Sequence, residues 1–176
     1  MIQPTLGLII PIYYEQDNII PLLKEIETSI RMPVKIYFIY DSNDDPTIHK
    51  INQTKNNYKY PIHLAKNKFG LGALNAIKTG IKLLTEDACV VVMADRSDEI
   101  SKINEMFRLY QCGYDIICGS RYMKNGKQIG GNFIKKTLSK LAGKSLNMLT
   151  NIPVVDITNN FKLYSREIFT KIEIES

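Results

Sequence analysis

The chain has 176 residues, 44% of them hydrophobic and 23% charged, with a formal net charge of +5. This length and composition predict one soluble globular domain over residues 1–176. No apolar run approaches the roughly eighteen residues of a transmembrane helix, and the N-terminus lacks the basic segment and cleavage site of a signal peptide. We therefore expect neither a membrane span within these residues nor export of the chain.

Three cysteines, Cys89, Cys112 and Cys118, are present without the spacing of metal ligands. We expect free core or near-core thiols in a reducing compartment, which favours a cytoplasmic location. The modest positive charge suits an anionic partner such as a phosphate or a lipid headgroup, although it is also ordinary for a soluble surface. We expect no nucleic-acid partner.

Short strand-like runs alternate with segments of helical periodicity along the chain. Six strands are predicted, at Leu6–Ile12, Val34–Tyr40, Ile62–Leu64, Ala88–Met93, Tyr114–Cys118 and Phe161–Tyr164. Helices are predicted after Asp17 as the cap, near Ile48, over a face of Leu71, Leu74, Ile77 or Lys78, Ile81 and Leu84, around Ile103–Tyr110, and over Phe133–Leu149. This order predicts an α/β fold, with a mostly parallel sheet flanked by helices on both faces.

Polar residues follow the predicted strands at the points where they end. In chain order they are Tyr13, Tyr14 and Glu15, then Asp41, Asp44 and Asp45, then Asn67, Gly70 and Gly72, then Asp95, and then Ser120 and Arg121. Because ligands of such sheets bind outside the carboxyl ends of the strands, we expect these residues to converge. Asp44 and Asp45 lie in a proline-containing turn, where a simple turn role is favoured. Asp95 lies near other carboxylates, which favours a divalent cation, Mg²⁺ or Mn²⁺.

Two common nucleotide-binding motifs are absent from the sequence. The first strand is not followed by G-x-G-x-x-G, and no G-x-x-x-x-G-K-[ST] occurs, so a dinucleotide-binding dehydrogenase and a P-loop nucleotidase are both disfavoured. The G-L-G at Gly70–Gly72 follows the wrong strand for such a motif. We expect it to form a tight turn of small residues at the start of a helix.

Six segments in this order carry a more specific pattern: IIPIYYEQDNI, FIYDSNDDPT, NKFGLGALNAIKTGI, VVVMADRSDE, DIICGSRY and DITNNFKLYSREIF. Together they resemble family 2 glycosyltransferases, most closely the polyprenyl-phosphate (dolichol-phosphate mannose synthase-like) branch. The resemblance covers nearly the whole chain and implies a GT-A-like, nucleotide-sugar-binding fold. It also implies that the chain ends before the later elements of the family.

The resemblance implies roles for particular residues. Around the nucleotide sugar it implies Pro11, Tyr13, Glu15, Ile39, Asp41, Ala94 and Asp95. Asp95 would ligate a Mg²⁺ or Mn²⁺ ion, and Asp95 and Arg121 would be the catalytic residues. Around the acceptor and its phosphate it implies Ser120, Arg121, Lys135 and Lys162.

The implied reaction moves a hexose from a UDP- or GDP-sugar to an acceptor, with inversion at the anomeric carbon. A lipid-phosphate acceptor is favoured because its oxygen is already an anion, so no general base is needed, and none stands out in the sequence. In the predicted helix over 133–149, Lys136, Lys140 and Lys144 lie opposite an apolar face. This pattern suits peripheral attachment at the cytoplasmic face of a membrane, although a solvated surface helix is the simpler interpretation.

The chain departs from the family pattern at three positions. Met93 stands at the first Asp of the D-x-D motif, Tyr40 at the first Asp of the D-D pair, and Asn160 at a glycine. Asp98 or Glu99 would have to replace the lost carboxylate. The alternative is therefore a degenerate sugar-nucleotide-binding module without turnover. A nucleotidyltransferase is a third possibility, but it should have a glycine-rich basic loop after the first strand, where this chain has PIYYEQDN.

Overall fold

A six-stranded mixed sheet forms the centre of the protein, as seen in a computed structural model that describes residues 4–120, 159–172 and 174. Within these residues the strand order is β3-β2-β1-β4-β6-β5. The strands are β1 Leu6–Ile12, β2 Val34–Tyr40, β3 Ile62–Lys66, β4 Ala88–Val91, β5 Ile116–Cys118 and β6 Lys162–Ser165. The predicted helix over 133–149, Arg121 and Lys135 lie outside the described residues.

Strand direction brings the ends of five strands to one edge of the sheet. β1 pairs in parallel with β2 and β4, and β2 pairs in parallel with β3. β6 pairs antiparallel with both β4 and β5, so β5 runs in the same direction as β1–β4. The predicted mostly parallel sheet is confirmed. Its carboxyl edge carries the ends of β1–β5 and the start of β6.

The described part of the chain contains five helices, four between the strands and the last one after β6. They are α1 Ile19–Ser29, α2 Pro46–Thr54, α3 Ala73–Leu83, α4 Ile103–Gln111 and α5 Ile168–Lys171, with short 3₁₀ turns at Lys55–Asn57 and Ile100–Lys102. None of these helices is long and apolar enough to cross a bilayer.

The sheet is covered on both faces because its central strands are apolar on both. All of β1 is buried, and alternate residues of the strand belong to different apolar clusters. Leu8, Ile10 and Ile12 pack in the larger cluster, which also holds the apolar faces of α1 and α4. Ile9 packs in the smaller cluster with Ala76 of α3. Helices on both faces, as predicted, are therefore confirmed.

The buried face of α3 agrees with the predicted one only in part: Ile81 and Leu84 pack in the smaller cluster as predicted, but Leu71 and Leu74 do not. The helix buries Ala76, Thr79 and Gly80, whereas Leu71 is 79% exposed and Leu74 is 45% exposed. Leu71 precedes the helix, which begins at Ala73. A Cβ atom at Gly80 would lie 2.5 Å from a methyl group of Ile9, so small residues let the helix backbone pack directly on β1.

Smaller differences concern element ends and a thiol. β4 ends at Val91 rather than Met93, and β5 begins at Ile116 rather than Tyr114. The residue before α1 is Asn18 rather than Asp17, and its side chain makes no capping bond. All three cysteines are free, as predicted. Cys89 is buried, which raises its thiol pKa to about 12, but Cys112 is exposed and is not a core thiol.

Candidate active site

A pocket of about 580 Å³ opens at the carboxyl edge of the sheet, where β1, β2 and β4 end. Its walls come from the loops after these strands and from the start of α3. The lining residues are Pro11, Ile12, Tyr13, Tyr14, Glu15, Asp41, Ser42, Leu71, Gly72, Ala73, Ala76, Met93, Ala94 and Asp95. A second cavity, of about 390 Å³, lies around Lys55–Ile62 at the opposite end of β3, away from these loops.

Six of the seven residues predicted around a nucleotide sugar line this pocket. They are Pro11, Tyr13, Glu15, Asp41, Ala94 and Asp95. The structure does not bring Ile39 into the lining, because its side chain is fully buried in the cluster under α3. Ala76 of the same cluster lines the pocket instead. Of the described residues expected to converge from the strand ends, Tyr13, Tyr14, Glu15, Asp41, Gly72 and Asp95 line the pocket, whereas Asp44, Asp45, Asn67, Gly70 and Ser120 do not.

The loop after β1 is held by the first turn of α2. Tyr14, whose φ is +55°, donates its backbone N–H to Asp45 Oδ2 at 2.9 Å. Glu15 donates its backbone N–H to Thr47 Oγ1 at 2.8 Å. Asp45 is the N-cap of α2, where its Oδ1 accepts the Thr47 backbone N–H at 2.8 Å, and both side chains are buried. The loop that presents Tyr13 to the pocket is thus fixed at two adjacent peptides.

This arrangement corrects the interpretation of the Asp44–Asp45 pair as simple turn residues. Asp44 is exposed, but Asp45 is only 3% exposed and links two loops of the site. An Asp directly before Pro46 and Thr47 indicates a helix N-cap from the sequence alone. The bond to Tyr14 spans 31 residues of sequence, so no local pattern announces it.

Asp41 holds a second wall of the pocket. Its Oδ1 accepts the Asn67 side-chain amide at 2.8 Å, and its Oδ2 accepts the Gly72 backbone N–H at 2.8 Å. Asn67 Oδ1 in turn accepts the hydroxyl of the buried Thr79 at 2.9 Å. Gly72 has a φ of +103°, which favours glycine, and the expected tight turn before α3 is confirmed. The ends of β2 and β3 are thereby tied to α3.

The loop after β4 is folded around its own carboxylates. Met93 donates its backbone N–H to Asp98 Oδ2 at 2.8 Å, and Ser97 donates its own to Asp95 Oδ1 at 3.0 Å. Arg96, between them, has a φ of +62° and lies 3.6 Å from Glu25 of α1. Asp98 Oδ2 thus holds the backbone of Met93.

The donor atoms of the pocket limit how a metal ion could be held. Among the described residues, no group of three or more His, Cys, Asp or Glu side chains is arranged to hold a metal. Both oxygens of Asp41 accept hydrogen bonds, and Glu15 Oε2 accepts one from Asn18. One carboxylate at Asp95 fits a hard ion that takes most of its ligands from phosphate oxygens and water. It does not fit an ion caged by protein alone.

The expected phosphate-binding residues Ser120 and Lys162 meet at the same edge, farther along the sheet. Lys162 pairs with Cys118 in the β5–β6 register, and Ser120 follows two residues later. Asn159 closes this corner, because its side-chain amide donates to the Gly119 carbonyl at 3.0 Å. Neither Ser120 nor Lys162 lines the pocket.

The fold is shared with known sugar-transferring enzymes. Glucosyl-3-phosphoglycerate synthase from Mycobacterium tuberculosis, solved with Mn²⁺, UDP and glucosyl-3-phosphoglycerate, superposes with a TM-score of 0.71 at 13% sequence identity. The match covers 95% of this chain and 58% of that one. The protein is therefore an α/β domain of the GT-A-like class.

The family follows from the sequence itself. The model of glycosyl transferase family 2 matches residues 8–173, and the chain belongs to this family. The match sets aside the nucleotidyltransferase interpretation.

Two curated relatives give the scale of the similarity. The dolichol-phosphate mannosyltransferase of Pyrococcus furiosus is 30% identical over 135 residues, which cover 76% of this chain and 38% of the relative. A glycosyltransferase of Synechocystis, described as uncharacterized, is 26% identical over 174 residues, which cover 96% of this chain and 52% of the relative. The chain thus spans about half the length, or less, of these two relatives.

We predict that Asp45→Ala lowers the free energy of unfolding by about 2 kcal/mol, because it removes a helix cap and leaves a backbone donor without its partner. Hydrogen exchange at the Tyr14 and Thr47 amides should accelerate in the same variant. Urea unfolding and amide exchange measure the two effects.

Asp44→Ala is the matched control, since it removes an exposed carboxylate from the same turn. Its effect on unfolding should stay within about 0.5 kcal/mol. Equal losses in the two variants would contradict the role assigned to Asp45.

Proposed function

We propose that the chain is the catalytic domain of an enzyme that transfers a hexose from a UDP- or GDP-sugar to a lipid phosphate, such as a polyprenyl phosphate, with inversion. One observation carries the proposal: six residues expected around a nucleotide sugar line a single pocket at the carboxyl edge of a GT-A-like sheet. Family membership and a relative named dolichol-phosphate mannosyltransferase support it.

The size and surface of the pocket suit a nucleotide sugar. A volume of about 580 Å³ falls within the usual range of small-molecule sites. Tyr13 and Tyr14 pack edge to face, with ring centroids 4.8 Å apart, and both rings remain more than half exposed. Aromatic faces of this kind stack on bases. Tyr13 is our candidate for the base-binding surface.

The diphosphate end of the donor would lie by Ala94 and Asp95. Asp95 would hold Mg²⁺ or Mn²⁺, and such an ion, when bound, offsets the negative charge that grows on the departing diphosphate. Two hydrogen bonds already hold the loop around Asp95: the Met93 N–H donates to Asp98, and the Ser97 N–H donates to Asp95 itself. The solved neighbours with UDP and either Mn²⁺ or Mg²⁺ support a metal-assisted reaction of this type.

The acceptor would approach from the side of Ser120 and Lys162. Lys162 supplies a positive charge at the carboxyl edge, which suits an anionic phosphate, and Arg121 and Lys135 are proposed to add to it. No histidine lines the pocket: His49 lies on α2 bonded to Gln53, and His63 lies on β3 beside Tyr37. A phosphate oxygen that is already ionised needs no general base, which favours a phosphate over a hydroxyl acceptor.

The second candidate function is nucleotide-sugar binding without turnover. Met93 favours it, because a thioether lines the pocket where the family has a carboxylate, and thioethers are poor ligands for hard ions. Both functions require donor binding. They differ in metal dependence and in transfer.

We predict that UDP or GDP raises the melting temperature of the chain only when Mn²⁺ or Mg²⁺ is present. Asp95→Ala should abolish this stabilisation, because it removes the carboxylate proposed to hold the ion. Thermal shift and calorimetry with UDP, GDP and CMP, each with and without metal, measure it. Asp44→Ala, outside the pocket, is the control; binding that survives Asp95→Ala and ignores metal would favour the degenerate module.

We further predict that Met93→Asp strengthens metal-dependent binding of the preferred nucleotide about tenfold, because it adds a second hard ligand beside Asp95. Met93→Leu keeps the apolar character and should leave the affinity unchanged. Calorimetric titration compares the three proteins. No gain in Met93→Asp would show that the ion, if bound, does not lie between positions 93 and 95.

Transfer itself is tested with this protein and the donor that binds. We predict hexose transfer to a polyprenyl phosphate and none to 3-phosphoglycerate. Lys162→Ala should raise the acceptor KM about tenfold, with donor affinity kept, because it removes one charge that faces the acceptor phosphate. Lys82→Ala, on the exposed face near the end of α3, is the control. Transfer to 3-phosphoglycerate instead would overturn the lipid-phosphate acceptor.

A further inference from the structure

Large apolar side chains are exposed mainly beside the pocket. Of the eight in the described part of the chain, five lie at the carboxyl edge: Tyr13, Tyr14, Phe69, Leu71 and Leu74. The other three, Tyr114, Ile116 and Ile172, lie toward the opposite edge, before or at the start of β5 and after α5. Contiguous exposed apolar surface next to a ligand pocket commonly marks an interaction site.

Three of the five belong to one short segment, residues 66–74, which we call the β3–α3 segment. Its sequence is KNKFGLGAL. Phe69 is 48% exposed, Leu71 is 79% exposed and Leu74 is 45% exposed. The segment thus places three apolar side chains in solvent within six consecutive residues.

This exposure is built into the fold. Gly70 and Gly72 have φ values of +102° and +103°, so the chain turns sharply on either side of Leu71. The Asp41 carboxylate holds the Gly72 N–H, and the buried Thr79 hydroxyl accepts the Lys68 N–H at 2.9 Å. The segment is therefore tied to the sheet and to α3 while its apolar side chains point away from the core.

The charge of the segment selects the kind of surface that it would meet. Lys66 and Lys68 are exposed and directly precede the apolar residues, and no acidic residue lies between positions 66 and 74. Apolar side chains combined with nearby lysines are the features that bind anionic lipid surfaces, where each lysine adds about 1 kcal/mol of attraction. We propose that the β3–α3 segment inserts Phe69, Leu71 and Leu74 into the surface of an anionic bilayer.

The location of the segment gives this contact a purpose. Leu71 lines the pocket, so a bilayer in contact with the segment would lie at the pocket mouth. The segment and the proposed acceptor side at Ser120 and Lys162 share the carboxyl edge of the sheet, so a bilayer along this edge would present a lipid phosphate to the site. This purpose rests on the proposed lipid-phosphate acceptor, but the contact itself requires neither donor nor turnover.

The chain has no tryptophan, which allows a direct test. Phe69→Trp places a single reporter in the segment, and Tyr114→Trp places one at an exposed site on the opposite edge. With vesicles of phosphatidylcholine and phosphatidylglycerol, we expect the emission of the Phe69→Trp protein to shift to the blue and to be quenched by brominated lipid. The Tyr114→Trp protein should show neither effect. No shift at position 69, or equal shifts at both positions, would overturn the proposal.

Vesicle flotation of proteins with the native Phe69 supplies a second measurement. Phe69→Ser/Leu74→Ser should lower the partition coefficient about tenfold or more, because two apolar side chains no longer leave water. Lys66→Gln/Lys68→Gln should lower it about fivefold per lysine on anionic vesicles and not on phosphatidylcholine alone. Lys24→Gln/Lys82→Gln, at exposed sites elsewhere, should bind as the parent does. Partitioning that none of these changes alters would also overturn the proposal.

The outcomes separate this inference from the proposed function. Nucleotide binding that persists while vesicle binding fails removes the bilayer contact alone. Vesicle binding that persists while no nucleotide binds leaves the contact and removes the proposed function. Self-association that hides the Phe69→Trp reporter from lipid would assign the segment to a second copy of the chain, and so would overturn the bilayer contact.

Discussion

Parallel pairing of β1 with both β2 and β4 is the constraint on which the rest of the structure depends. The carboxyl ends of β1, β2 and β4 lie side by side at one edge of the sheet because these strands share a direction. The loops that follow the three strands therefore meet at this edge. β1 is the strand that makes this possible, since it is apolar on both faces and buried throughout. The pocket is thus a result of strand direction as much as of the residues that line it.

Most acidic side chains near the pocket act on the backbone. Asp45, Asp41 and Asp98 each accept a backbone N–H from a loop residue, at 2.9, 2.8 and 2.8 Å respectively. Carboxylates bind such donors more strongly than neutral acceptors do. The cluster of charge after the strands is therefore largely structural. Asp95 also accepts a backbone N–H, from Ser97 at 3.0 Å through Oδ1, and it is the carboxylate on which the proposed metal chemistry depends.

The fold was predictable because its signals are local and repeated. Apolar runs over β1 and β2 and the spacing Ile19, Leu22, Leu23 and Ile26 gave the elements, and their alternation gave the sheet. The face of α3 was predicted only in part: Ile81 and Leu84 pack in the core as expected, but Ala76, Thr79 and Gly80 carry little hydrophobic signal. They are buried because α3 packs closely on β1, with Gly80 against Ile9, a long-range contact that periodicity does not report.

The site, like the fold, was predictable where its signals are local in the sequence. Strand ends and family-like segments located six lining residues, but they also included Ile39, which alternation along β2 turns into the core. The role of Asp45 was missed, because only half of it is local. Its capping bond to Thr47 follows from the residues Asp-Pro-Thr, whereas its bond to Tyr14 depends on how two loops meet in space.

The hydrogen bonds that hold the pocket loops determine at which stage the conformational entropy of these loops is lost. A free loop loses conformational entropy at the moment a ligand immobilises it, and affinity falls by that amount. Here the Tyr14, Gly72 and Met93 peptides are already bonded to side chains of the folded domain. These peptides become ordered when the domain folds. A ligand that binds in the pocket therefore does not have to order them, and its affinity is not lowered by that loss of entropy.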